Sequence, residues 1–174
     1  MSDTATLARL LADPAVTAKA AEKAAAEPRF WTGLSGMQVT GADVAAHLEA
    51  AREVLKKRGW IRTTDDTDPE LPEADESMSV KTILLGVLRA VRDMTVDRGP
   101  ITLMSAMFRA EDAIGDQDTH VVGDRVLDTL VAAYLGTSFA IARVWSEKRS
   151  RTWAEVSDLL TAGAEFARTH GPRP

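Results

Sequence analysis

Acidic and histidine side chains with the chemistry of metal ligands are concentrated in one stretch of the chain. They are Glu111, Asp112, Asp116, Asp118, His120 and Asp124. Oxygen ligands at alternate positions are typical of calcium loops, which also need Gly at the sixth position and Glu at the twelfth. Counted from Asp116, those positions hold Val121 and Leu127. We therefore expect a connector with acids at the next helix N-terminus, and no metal and no cofactor.

Residues for nucleophilic or general-base catalysis are sparse. The three histidines are His47, His120 and His170, and there is no cysteine. His47 stands between the apolar residues Val44 and Leu48, which favours a packed or surface histidine over a catalytic base. No His-Glu-x-x-His, Gly-x-Ser-x-Gly or Walker sequence occurs. We predict no catalytic residue and favour a non-enzyme, while a triad assembled in space stays open.

Basic residues surround tryptophans in two places. Lys56, Lys57, Arg58 and Arg62 flank Trp60, and Arg143, Lys148, Arg149 and Arg151 lie around Trp145 and Trp153. Such patches can bind a nucleic-acid backbone and stack on bases. The alternative interpretation is helix-terminal cations beside core tryptophans. A net charge of −5 disfavours a general nucleic-acid binder, so this second patch stays the alternative function.

A small-ligand pocket, catalytic or not, is a further alternative. It would lie near Trp60, Trp145 and Glu155, which combine aromatic faces with a carboxylate. We expect such a pocket only if the fold brings these three residues together around a cavity.

The elements that must position these residues are helices. Apolar residues recur at helical spacing, as in Val44, Leu48, Ala51 and Leu55, and alternating strand patterns are absent. Helices are predicted at about 4–12, 14–26, 40–58, 80–94, 101–114, 121–135 and 152–169, with 138–145 left open between helix and extended chain. The fold class is all-α, a compact bundle of about five core helices with an N-terminal helical arm.

Two domains of unequal size are expected. Residues 1–38 form an Ala-rich helical arm and loop, in which Phe30 and Trp31 pin the loop to the core. Residues 39–170 form the helical core, interrupted by an acidic, proline-containing loop at 63–77. This loop is predicted to be solvated, with docking of a basic partner as its alternative. The tail at 171–174 is expected to be disordered.

The N-terminal arm carries little apolar surface. Leu7, Leu10, Leu11 and Val16 make a narrow stripe, and short isolated helices are marginal in water. The stripe must therefore pack on the core or on another chain, which predicts a protein partner and a homodimer. No segment approaches the roughly 20 apolar residues of a membrane span, and no signal-peptide pattern occurs. We expect a cytoplasmic protein without membrane contact.

Two motifs resemble a known family. A hydrophobic helix followed by Gly59-Trp60, and Trp145 followed by Arg151-Thr152-x-x-Glu155-Val156, are similar to an uncharacterised small domain family. That family, a domain of unknown function, is found in actinobacteria and their phages and plasmids. The resemblance covers about residues 42–168 and implies no established reaction. A Trp-Asn-Asp of the family is Trp145-Ser146-Glu147 here.

Overall fold

The fold is all-α, as predicted. The computed structural model describes residues 13–63, 99–114 and 116–174, with the side chains of 112–114 excepted. Within these residues lie six helices, and the extended pairing consists of isolated bridges at Thr32–Gln38 and Trp60–Ile101. The helices are α1 (Pro14–Ala26), α2 (Gly41–Arg58), α3 (Leu103–Ile114), α4 (Gln117–Leu135), α5 (Ala142–Ser146) and α6 (Trp153–His170). The helices predicted at 4–12 and 80–94, and the acids of the predicted loop, lie outside the described residues.

Helix ends follow local capping chemistry. The side chains of Asp13, Thr40 and Thr152 each accept a hydrogen bond from a backbone N–H of the first turn, and Glu155 completes a capping box with Thr152. Asp116 caps α4 in the same way, so that helix begins at Gln117, four residues before the predicted start. The open segment 138–145 contains an extended connector and then α5.

The core is built around α2. This helix packs against α3, α4 and α6, and its closest packing is with α6. Gly163 on α6 permits that approach, because a Cβ there would lie 2.8 Å from Leu127 Cδ2 and 3.0 Å from Leu48 Cδ1. Among the described residues, α2 therefore occupies the central position in the bundle.

The segment before α2 shares this core. Ala20 and Ala24 of α1 are buried, and α1 packs on α4. Phe30 is also buried, and Trp31 stacks on Phe166 with ring centroids 6.4 Å apart, which confirms the expected anchoring of the loop. Arg125 holds the loop from α4, since its Nη1 donates to the carbonyls of residues 29, 30 and 32.

The C-terminal tail is ordered against α2, so the expectation of disorder there was wrong. The Gly41 N–H donates to the Pro172 carbonyl at 2.8 Å. A Cβ at Gly41 would collide with the Ala167 carbonyl and with Gly171. Two glycines thus let backbone contact backbone, an arrangement that the residue types at the chain end do not reveal.

Candidate functional site

An exposed apolar surface surrounds the connector between α4 and α5. Its large side chains are Leu135, Phe139, Ile141 and Val144. Phe139 is the most exposed of these, at 70%. Because all four lie within ten residues of chain, they form one patch rather than scattered apolar residues, and such patches mark interaction sites.

Two grooves flank Phe139. Groove A, of about 420 Å³, lies between α1, α4 and the connector, and groove B, of about 290 Å³, lies between the connector and α5. Groove A is lined by Lys23, Ala26, Glu27, Phe30, Arg125, Asp128, Thr129, Ala132, Ser138, Phe139 and Ala140. Groove B is lined by Leu135, Thr137, Phe139, Ala140, Ile141, Val144, Trp145 and Lys148. Phe139 and Ala140 line both grooves and form the ridge between them.

The connector is held in place from two helices. Lys23 Nζ of α1 donates to the carbonyls of Thr137 at 3.0 Å and Ser138 at 2.8 Å. At the other end, Asp128 of α4 accepts a hydrogen bond of 2.6 Å from the Ala142 N–H. Gly136 supplies the left-handed turn, with φ 69°, that ends α4. Hydrogen bonds at both ends of the connector therefore fix the ridge without a binding partner.

The two grooves differ in their charged lining residues. Groove A has the cations of Lys23 and Arg125 and the carboxyl groups of Glu27 and Asp128, and Arg125 Nε lies 4.0 Å from Glu27 Oε1. Burial raises the pKa of Asp128 to about 6, against the hydrogen bond from the Ala142 N–H, which lowers it. The charged lining residue of groove B is Lys148.

A second polar group lies inside the bundle. His120 of α4 is 3.3 Å from Glu111 through Nδ1 and 3.3 Å from Asp124 through Nε2. These carboxylates, led by the hydrogen bond of Asp124, raise the pKa of His120 above its usual value. His47, which the sequence placed beside the core face, is fully buried next to His120. Within the described residues no group of three or more ligating side chains could hold a metal ion.

The two motifs that carry the family resemblance meet in the fold. Arg62 Nη2 donates to the Arg151 carbonyl at 3.2 Å. Each arginine also lies over a tryptophan, Arg62 at 5.6 Å from the centroid of Trp60 and Arg151 at 4.4 Å from that of Trp145. We call these four residues the tryptophan–arginine cluster. Glu155, the third residue of the predicted pocket, pairs with Arg151 at 2.8 Å.

The predicted nucleic-acid patch is partly neutralised. Arg143 lies 3.6 Å from Glu147, and Arg151 is paired with Glu155. Lys148 and Arg149 are exposed, and the structure shows no ion pair for them within its described ranges. The nucleic-acid alternative stays a prediction, supported by two exposed cations, rather than four, that have no ion pair in the described ranges.

Other predicted site residues have structural partners or lie outside the described residues. Val16 of the arm packs partly buried against the core, while Leu7, Leu10 and Leu11 are not among the residues described. Asp118 accepts hydrogen bonds from the N–H and hydroxyl of Ser35, which lower its pKa and tie the 29–38 loop to α4.

Sequence reasoning missed the ridge at Phe139. The available signal was the aromatic Phe139 and the apolar β-branched residues Ile141 and Val144, which follow Gly136. This segment is too short for helical periodicity to show which of its faces is buried. No local sequence pattern indicates that Lys23 and Asp128 hold the ridge, because the residues they contact are distant in sequence.

Comparison with known proteins places the chain in a family. Residues 39–166 match the family model described as "Family of unknown function (DUF6197)". The chain belongs to this family, in agreement with the resemblance over about residues 42–168. No curated protein and no solved structure matches the chain. Among the described helices, none has the length and apolar character needed to cross a bilayer.

Proposed function

We propose that this member of the DUF6197 family is a non-enzymatic protein-interaction module that self-associates through the ridge at Phe139 and its two grooves. The observation that carries the proposal is the exposure of Phe139 between two hollows on one surface. A protruding ring beside a hollow can be complementary to a copy of itself, which is what a two-fold interface requires.

The apolar character of groove B supports this mode of association. Its exposed large apolar lining residues are Leu135, Phe139, Ile141 and Val144, and aromatic anchors in such pockets dominate interface energies. In a two-fold arrangement, Phe139 of each copy enters groove B of the other copy.

Rigidity of the connector supports the proposal as well. The two hydrogen bonds from Lys23 and the one to Asp128 fix the ridge in the free chain. Because this segment is already ordered, its association with a partner costs little conformational entropy.

The experiment compares the mass of the full-length protein and its variants by sedimentation equilibrium over a wide concentration range. We expect a dimer for the wild type and a Kd raised by about tenfold or more for Phe139→Ser. Met37→Ser is the matched control, because Met37 is equally exposed, at 69%, but lies on the 29–38 loop. Its Kd should equal that of the wild type.

A deletion of residues 2–12 separates this mode from association through the N-terminal arm. If the deletion dissociates the dimer while Phe139→Ser leaves it intact, the arm residues Leu7, Leu10 and Leu11 carry the contact and the ridge does not. A wild-type protein that is monomeric at every concentration would contradict the proposal itself.

A further inference from the structure

Within the residues that the structure describes, four buried N–H groups of the tryptophan–arginine cluster have no hydrogen-bond partner. They are Nε1 of Trp60, Nε of Arg62, Nε1 of Trp145 and Nε of Arg151. Unpartnered buried donors are few in folded proteins, because each has lost its hydrogen bond to water without a replacement. A ligand that supplies acceptors would satisfy them.

These donors belong to one connected group rather than to separate parts of the molecule. The hydrogen bond from Arg62 to the Arg151 carbonyl joins the two halves, and each guanidinium lies over its own indole ring. The Arg151 side chain is 16% exposed, so the cluster reaches the surface at that edge.

The cluster also carries an excess of positive charge. The carboxylate of Glu155 compensates Arg151 through Nη1, and it is further engaged by the Thr152 N–H and hydroxyl at the start of α6. For Arg62, no carboxylate lies within ion-pair distance in residues 13–63, 99–114 and 116–174. One guanidinium is thus left without a compensating anion in that part of the chain.

We infer that the tryptophan–arginine cluster is a binding site for a small oxyanion, either a phosphate or a carboxylate group. Guanidinium groups bind such anions through paired N–H donors, and indole N–H groups add donors without adding acceptors. A neutral ligand would leave the charge of Arg62 uncompensated. This inference does not depend on the proposed self-association, although Trp145 also lines groove B.

The test uses inorganic phosphate, and acetate in parallel, added to the full-length protein with sodium chloride keeping the ionic strength constant. We expect a saturable change in tryptophan fluorescence and a Tm raised by about 4 °C at ten times the Kd. Saturation by phosphate at lower concentration than by acetate assigns the site to phosphate groups, and the reverse order assigns it to carboxylates.

Arg62→Gln should abolish the saturable response, because it removes the uncompensated charge and keeps a polar side chain. Arg149→Gln is the matched control: it removes one exposed arginine outside the cluster and should leave the response unchanged. If Arg62→Gln does not fold, Trp60→Phe replaces it, and the loss of one donor should raise the Kd by about fivefold or more. A wild type that responds to neither anion beyond chloride, or an Arg62→Gln protein that responds like Arg149→Gln, would overturn the inference.

Discussion

The imidazole rings of His47 and His120 lie 5.6 Å apart, centroid to centroid, and their surroundings favour opposite protonation states. His47 is fully buried, and within the described residues neither of its ring nitrogens is hydrogen-bonded; burial, followed by the charge of His120, lowers its pKa to about 4. His120 has a raised pKa because Asp124 and Glu111 face it from α4 and α3. Between about pH 4 and pH 6.5, His47 is therefore neutral and His120 favours the charged form.

Replacement of His47 by leucine should make the protein lose less stability than the wild type as pH falls. The folded state binds a proton at His47 less readily than the unfolded state, so this residue destabilises the protein as pH falls from 6.5 towards 4. The difference in free energy of unfolding between His47→Leu and the wild type should grow by about 2 kcal/mol from pH 7.5 to pH 5. Chemical unfolding followed by circular dichroism at both pH values measures it.

The other two histidines, His120 and His170, provide controls for that measurement. His120 contributes stability that is present below pH 6.5 and lost as pH rises through its raised pKa, so His120→Gln should change the pH slope in the opposite sense. His170 is exposed on the last turn of α6, so His170→Gln removes a histidine without touching the buried pair. Parallel pH profiles for the wild type and His47→Leu would contradict the assigned charge states.

Replacement of Asp128 by asparagine should stabilise the protein at neutral pH. Its folded pKa of about 6 lies above the usual 3.8, so the buried carboxyl opposes folding once it ionises, and this loss develops as pH rises through that interval. The asparagine amide keeps an oxygen for the Ala142 N–H but carries no charge. We expect Asp128→Asn to raise the free energy of unfolding by about 1–2 kcal/mol at pH 7.5 and by much less at pH 4. A gain of equal size at both pH values would show that the charge is not its cause.

Replacement of Gly163 by alanine should loosen the contact between α2 and α6. The added Cβ meets Leu127 and Leu48 inside the core, and overpacking of about 1–3 kcal/mol outweighs the helix propensity gained. Thermal unfolding should show a lower Tm than in the wild type. Gly123→Ala is the matched control on α4, where the nearest atom, Met107 Cε at 3.2 Å, ends a flexible side chain. Its Tm should be close to that of the wild type, and equal losses in both variants would argue against the packing explanation.

Local signals predicted the helix boundaries well because capping is chemistry between near neighbours. Asp13, Thr40, Gly59 and Thr152 each act within one helical turn of their own position, and the helices they flank match the predicted ranges 14–26, 40–58 and 152–169 to within one residue. The start of α4 was placed too late because Asp116 was assigned to the acidic connector and not to the N-cap position.

The surfaces and polar clusters could not be predicted in the same way. Arg62 and Arg151 are 89 residues apart in sequence, and their contact depends on how α6 and the segment after α2 pack. The exposure of Phe139 depends likewise on Lys23 of α1 holding a connector that is 114 residues away. Hydrophobic periodicity identifies the buried face of a helix, but it contains no information about which distant elements meet.

The hydrogen bond between Gly41 and Pro172 brings the two ends of the intervening polypeptide together. The chain therefore enters α2 and leaves α6 at the same end of the bundle. Extra sequence attached after Pro174 would emerge beside the start of α2, on the side of the bundle where Thr40 caps that helix.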